Sequence, residues 1–190
     1  MNTLTLDLQS IELTDEQFYQ LCVNNRNLRI ERNVNGDLVI MPPTGGQTGN
    51  RNGRLIQQLF NWSDSDGTGI AFDSSTGFIL PNAANRSPDA SWIPLTKWDA
   101  LTDEEKQRFL PLCPDFAIEL LSPSDNITKT RQKMQEYLDN GTILGWLINP
   151  VQQQVEIYRR GQQVEILDAP NSLSEEDLLP GFILDLQPIW

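Results

Sequence analysis

In Phe116-Ala117-Ile118-Glu119-Leu120-Leu121 a single carboxylate stands in an apolar run. Side chains along a strand alternate between faces. Phe116, Ile118 and Leu120 then point one way and Ala117, Glu119 and Leu121 the other. Apolar residues on both faces predict a strand buried on both sides. An ionised carboxylate costs several kcal/mol of desolvation in such a place. Glu119 must therefore be paired, protonated or bound to a cation, and a structural ion pair with a buried Arg or Lys is the plain alternative.

Pro88-Asp89-Ala90-Ser91-Trp92-Ile93 reads as a second strand with an acidic residue near its start, thirty residues before Glu119. If the two strands are neighbours, Asp89 and Glu119 lie side by side. Two adjacent carboxylates do not both stay ionised without a cation between them, and hard oxygen ligands suit Mg²⁺ or Mn²⁺. Asp89 has a plainer reading too, as an Asx turn after proline. The helix expected after Ser122-Pro123-Ser124-Asp125 carries Lys129 and Lys133 one turn apart. A lysine here can reach back to the carboxylates, hold a phosphate or polarise an attacking water. Arg131 and Glu136 share this helix, so a solvated charged face competes with that role.

Much other chemistry is excluded. The chain of 190 residues has no histidine, which rules out Ser-His-Asp and Cys-His nucleophile systems and His-bearing zinc sites. It has no phosphate-cradling G-x-x-x-x-G-K-[ST] loop. The two cysteines, Cys22 and Cys113, make no disulfide framework and read as small core residues. The five tryptophans read as core, because none sits in a basic–aromatic run. Fourteen Lys and Arg face 26 Asp and Glu, a net charge of −12 that argues against loose, charge-driven nucleic-acid binding. The charge is uneven: residues 161–190 hold six acidic and no basic side chains. Basic residues gather at Arg26, Arg29 and Arg32, at Arg51 and Arg54, and at Lys129, Arg131 and Lys133, so a local basic groove stays open. No apolar stretch is long enough to cross a bilayer, the first ten residues do not read as a secretory signal, and a cytoplasmic protein is expected.

The positioning elements are a mixture of helices and strands in one domain, residues 1–190. Thr14-Asp15-Glu16-Gln17 is a capping box that opens a helix to about residue 25. Asn35-Gly36 marks a hairpin between residues 28–32 and 37–41. After the break at Met41-Pro42-Pro43-Thr44-Gly45-Gly46, a second helix is expected over 50–63. Short strands follow at 70–73, 77–80 and 88–93, then a capped helix from Thr102-Asp103-Glu104-Glu105. The strand at 114–121 leads into a helix that Gly141 stops. Residues 142–149, 155–159 and 164–167 form a meander. Ser174-Glu175-Glu176-Asp177 is expected to start a turn of helix, and Pro180-Gly181 to lead into a final strand.

Pro88-Asp89 with Ile118-Glu119-Leu120-Leu121-Ser122-Pro123-Ser124 resembles the PD-(D/E)XK nuclease superfamily, and within it the restriction-endonuclease-like group common in cyanobacteria. Glu31, the run from Asn35 to Pro43, Lys133-Met134-Gln135-Glu136-Tyr137, Gly145 to Pro150 and Leu179-Pro180-Gly181-Phe182 are similar to that group as well. The resemblance spans nearly the whole chain. It implies an α/β (α+β) restriction-endonuclease-like core of αβββαβ type, a mixed central sheet flanked by helices. It also implies Asp89, Glu119 and the Leu120 backbone carbonyl as ligands of Mg²⁺, with Mn²⁺ able to substitute. The superfamily's lysine position is occupied by Leu121, and the matching lysine is Lys133 on the following helix, with Lys129 as competitor. Glu31 matches a further acidic position.

The expected function is a Mg²⁺-dependent DNA endonuclease. Glu31, Asp89, Glu119 and Lys133 would be catalytic, and Arg51, Arg54 and Lys129 would contact nucleic acid, the arginines at a helix start. A homodimer is expected, since cutting both strands needs two sites. The acidity of the chain keeps a rival open, a nuclease-like fold used as a binding or assembly module. A carboxylate-based hydrolase of a small substrate is a third reading.

Overall fold

The computed structural model describes residues 3–8, 10–175 and 177–190. In chain order the elements are β1 (Leu4–Leu6), α1 (Asp15–Asn24), β2 (Arg29–Arg32), β3 (Leu38–Met41), α2 (Gly46–Asp66), β4 (Gly69–Asp73), β5 (Phe78–Ile79), β6 (Asn85–Arg86) and β7 (Ala90–Pro94). They continue with α3 (Leu95–Ala100), α4 (Asp103–Lys106), β8 (Phe116–Leu120), α5 (Ile127–Asp139), β9 (Leu144–Asn149), β10 (Gln154–Arg159), β11 (Glu165–Asp168), β12 (Ser172–Glu175) and β13 (Leu179–Asp185).

The central sheet runs β11-β10-β9-β8-β7-β4. It is mixed: β8 and β9 are parallel, and the other neighbours are antiparallel. A parallel pair needs a crossover, and α5 supplies it. The succession α2-β4-β7-β8-α5-β9 is the αβββαβ core, with helices on both faces of the sheet. Phe116, Ile118 and Leu120 of β8 pack in one core with Leu55 and Leu59 of α2. Ala117 and Leu121 pack in a second core with Met134 and Tyr137 of α5. The alternation read from the sequence holds, and it turns Glu119 toward α5.

A second sheet, β1-β3-β2-β6-β5, carries the hairpin. Asn33 Oδ1 accepts from the N–H groups of Asn35 and Asp37, and Gly36 takes a left-handed φ of +88° that favours glycine. The Thr14–Gln17 and Thr102–Glu105 capping boxes both close as expected.

Two local readings differ. The second helix starts four residues before residue 50 and ends three after 63, with Gly45 as N-cap and Gly67 left-handed at φ +68°. Pro42-Pro43 disfavours helix up to that point, and burial of Leu55, Leu59 and Ser63 holds the rest. The last helix follows the 122–125 turn as expected, with Asn126 as its N-cap, whose side chain accepts from the Thr128 and Lys129 N–H groups. The helix turn expected at 174–177 is not formed: β12 pairs with β13, burying Leu173, Leu179, Phe182 and Leu184, and Glu176 lies outside the described residues. Pairing a hairpin onto the α2 face outweighs the local capping signal. Gln58 hydrogen-bonds Asp185 and Trp62 donates to the Pro180 carbonyl, which fix that docking. Among the described residues no helix is long and apolar enough to cross a membrane.

Candidate active site

Asp89 immediately precedes β7, where Ala90 pairs with Ile118 of the antiparallel β8. Continuing that register by one residue sets Asp89 opposite Glu119. The Leu120 N–H donates to Asp89 Oδ2 at 2.9 Å, which ties the loop end of β7 to the end of β8. Antiparallel pairing thus unites two carboxylates thirty residues apart.

Around them stands a buried ionic cluster. Lys133 Nζ lies 2.8 Å from Glu119 Oε1 and 2.9 Å from Glu31 Oε1. The Tyr137 hydroxyl, one helical turn further along α5, donates to the same Glu119 oxygen at 2.9 Å. Glu31 is only 3% exposed, so it is no surface residue. Its oxygens accept from Lys133, from the Ser87 N–H at 3.0 Å and from Arg86 at 3.1 Å. Arg86 also donates to Glu136 at 2.6 Å. Arg29 Nη1 lies 3.6 Å from Asp89 Oδ1.

The protonation states separate. Burial acts to raise the pKa of Glu31, but the nearby Lys133 and Arg86 outweigh it and bring it down to about 2. At Glu119 burial dominates; Lys133 offsets part of it, the charges of Asp89 and Glu31 add to it, and the pKa is pushed up to about 7. Burial also raises Asp89, against the partial offset of Arg29 and the Leu120 N–H. Lys133 would lose its proton more easily through burial alone, yet Glu119 and Glu31 more than compensate and keep it charged. Burial and then the Glu119 charge raise Tyr137 well above the ordinary phenol value, so it remains a hydrogen donor.

Four carboxylates, Asp89, Glu119, Glu31 and Glu136, are thus linked to three cations, Arg29, Lys133 and Arg86. The cluster holds one negative charge in excess. The contacts of Glu119 all fall on Oε1, and the one hydrogen bond of Asp89 falls on Oδ2. Each of these two groups keeps an oxygen with no hydrogen-bond partner among the described residues. Glu31 is saturated by comparison. Among the described residues, no group of three or more acidic, Cys or His side chains is gathered as a metal site. Two under-bonded carboxylates nevertheless fit Mg²⁺, which retains several waters and takes one or two carboxylates.

The remaining residues singled out in the sequence fall outside this cluster. Lys129 is exposed and, among the described residues, forms no ion pair, whereas Lys133 forms two, so the two lysines of α5 are not equivalent. Arg51 and Arg54 lie inside α2, not at its start; Arg54 is exposed and donates to Gln57 at 3.4 Å. Cys113 is buried, as a core residue would be. The sequence reading missed Tyr137, Arg86, Glu136 and the placement of Arg29. Tyr137 was within reach, being four residues after Lys133 and hence on its helix face. Arg86 was not, because the two-residue β6 that carries it has no periodicity to detect.

The fold is shared with a crystal structure described as a putative nuclease belonging to DUF820 from Anabaena variabilis ATCC 29413, at a TM-score of 0.76 and 23% identity, over 93% of this chain and 97% of that one. Among curated proteins none matches. The model of the Uma2 family, described as "Putative restriction endonuclease", matches residues 15–187. With almost its entire length accounted for by that match, this chain belongs to the Uma2 family.

Proposed function

We propose that the protein is a Mg²⁺-dependent DNA endonuclease that hydrolyses phosphodiester bonds, with Mn²⁺ able to substitute. One observation carries this reading: Asp89 and Glu119 sit together at the ends of β7 and β8 with Lys133 held against Glu119. Asp89, Glu119 and the Leu120 carbonyl would hold the metal. The chemistry supplied by a bound Mg²⁺ is neutralisation of phosphate charge and a more acidic water. Lys133 orients the attacking water and offsets charge that develops on the phosphate as the leaving oxygen departs. Glu31 acts through Lys133, keeping its ammonium in place, and Tyr137 fixes the Glu119 carboxylate. DNA is the partner, a homodimer supplies the second site that cutting both strands requires, and the cytoplasm is where the enzyme acts.

The rival reading, a nuclease-like module without catalysis, is favoured by the fact that Lys133 and Arg86 are already satisfied by carboxylates. A scaffold has no use for a metal site. Titration with Mg²⁺ or Mn²⁺ should raise the melting temperature, because binding to the native state alone stabilises it. Asp89→Asn should lose that response. An equal shift in wild type and variant sinks the assignment and favours the scaffold.

DNA affinity is expected to be weak and strongly salt-dependent, since the chain carries a net charge of −12 and only local basic surface can meet phosphate. Arg51 and Arg54 are three apart on α2 and share a face. Replacing both by Ala should weaken binding and flatten the salt slope; an unchanged slope places the DNA path elsewhere.

A further inference from the structure

The three cations of the cluster are not used alike. The side chains of Lys133 and Arg86 are 15% and 11% exposed, and each bridges two carboxylates. Arg29 is 37% exposed on its side chain. Its Nη2 donates to the Ser87 carbonyl at 2.8 Å, which anchors it to the segment that leads into Asp89. Its Nη1 stands 3.6 Å from Asp89 Oδ1, beyond hydrogen-bond distance, and its Nε is buried with no hydrogen-bond partner among the described residues. A guanidinium has five N–H donors in a rigid fork. Arg29 is thus the most exposed of the three cations, and its Nη1 donors are still to give.

The geometry points to Arg29 as the group that grips a non-bridging oxygen of the scissile phosphate, an inference that rests on the endonuclease reading. The arginine fork matches phosphate in two parallel hydrogen bonds, which a lysine does not reproduce. Were Arg29 only the counter-ion of Asp89, the two would close to a charge-assisted hydrogen bond of about 2.8 Å. At 3.6 Å that bond is not closed, so the Nη1 donors stay free to meet a phosphate oxygen. In a chain this acidic, attraction for phosphate has to be focused at the site. Lys133 and Arg86 each already bridge two carboxylates, so the grip on the incoming phosphate falls to Arg29, while Lys133 acts on charge that develops later.

The test compares wild type with Arg29→Met and Arg29→Lys by three readouts. The first is binding of a short fluorescein-labelled DNA duplex in Ca²⁺, followed by anisotropy across a salt series. The second is Mn²⁺-dependent nicking of plasmid DNA. The third is the Mn²⁺-induced rise in melting temperature, which reports folding and the metal site. Arg29→Met should bind the duplex about tenfold more weakly, with the log–log salt slope flatter by about one. Its kcat/KM for nicking should fall about 100-fold, while the Mn²⁺ shift is kept or enlarged because a competing cation is gone. Arg29→Lys should restore the slope and leave kcat/KM reduced, since the charge returns without the fork. Unchanged affinity and slope in Arg29→Met with an intact Mn²⁺ shift overturns the inference, as does a wild type that does not bind the duplex. If Arg29→Met does not fold, Arg29→Lys decides: parity with wild type in kcat/KM overturns the fork. The two readings separate cleanly. Arg29-dependent binding by a wild type that never nicks keeps Arg29 and rejects the endonuclease; nicking that is equal in wild type and Arg29→Met does the reverse.

Discussion

Glu119→Gln should abolish Mn²⁺-dependent nicking of plasmid DNA and leave the metal-free protein at least as stable as wild type at about pH 8. The substitution keeps size and hydrogen bonding: the amide oxygen still accepts from Lys133 and Tyr137, which both meet Oε1 in the wild type. It removes the charge that a metal ligand needs. Lys133 is not orphaned, because Glu31 remains 2.9 Å away. The sign of the stability effect follows from the pKa of Glu119, raised from 4.5 to about 7 in the folded chain. A carboxyl with a raised folded pKa holds its proton more tightly when folded. The metal-free wild type therefore loses stability as pH climbs from about 4.5 through 7, by up to about 3 kcal/mol. Glu119→Gln carries no such penalty, so its advantage should be largest at about pH 8 and vanish near pH 4. Urea titrations of both proteins in EDTA at these two pH values measure it. A purely structural ion pair demands the reverse, a loss of about 3–5 kcal/mol from a buried cation left unpaired. That outcome would falsify the active-site assignment of Glu119.

Lys133→Met should cost both activity and about 3–5 kcal/mol of stability, because three buried carboxylates then share too little positive charge. Its Nζ is the common partner of Glu31 and Glu119, and it also draws on Asp89. Lys129→Met, on the same helix, should change stability by no more than about 0.5 kcal/mol, as an exposed surface substitution. The acid limb offers a second signature. Glu31, held down at about 2, stabilises the fold above its ordinary 4.5, and this contribution is lost as pH falls from there toward 2. Without Lys133 the Glu31 pKa rises, and the acid-induced loss should begin at higher pH. Thermal melts of the three proteins between about pH 2 and pH 8 resolve this. Equal destabilisation by the two lysine variants contradicts the cluster as described.

Much of this architecture is written in local pattern. The two capping boxes, the Asn35-Gly36 hairpin and the stop at Gly141 depend on residues within one turn of each other, and each forms where its motif stands. The alternation of β8 reports burial on both faces, and from it the isolated carboxylate at 119 could be marked as a buried charge in need of a partner. Helix ends were read less well, since α2 extends through Gly46 and Gly49 because of what its later turns bury. At 172–175, pairing with β13 overrode a helix-start signal for the same reason.

What the chain's order of residues could not decide was which charges meet. Lys133 and Glu31 are 102 positions apart and touch only because the fold brings the side chains of β2 and α5 into one cluster. Arg86 reaches Glu31 from a strand of two residues, across 55 positions. Lys129 and Lys133 look alike in the sequence, and the direction in which α5 crosses the sheet buries one and exposes the other. Periodicity and capping act over a few residues and leave marks in the sequence. Ion pairs follow from the packing of whole elements, and a charge carries no sign of its partner until the fold has closed around both.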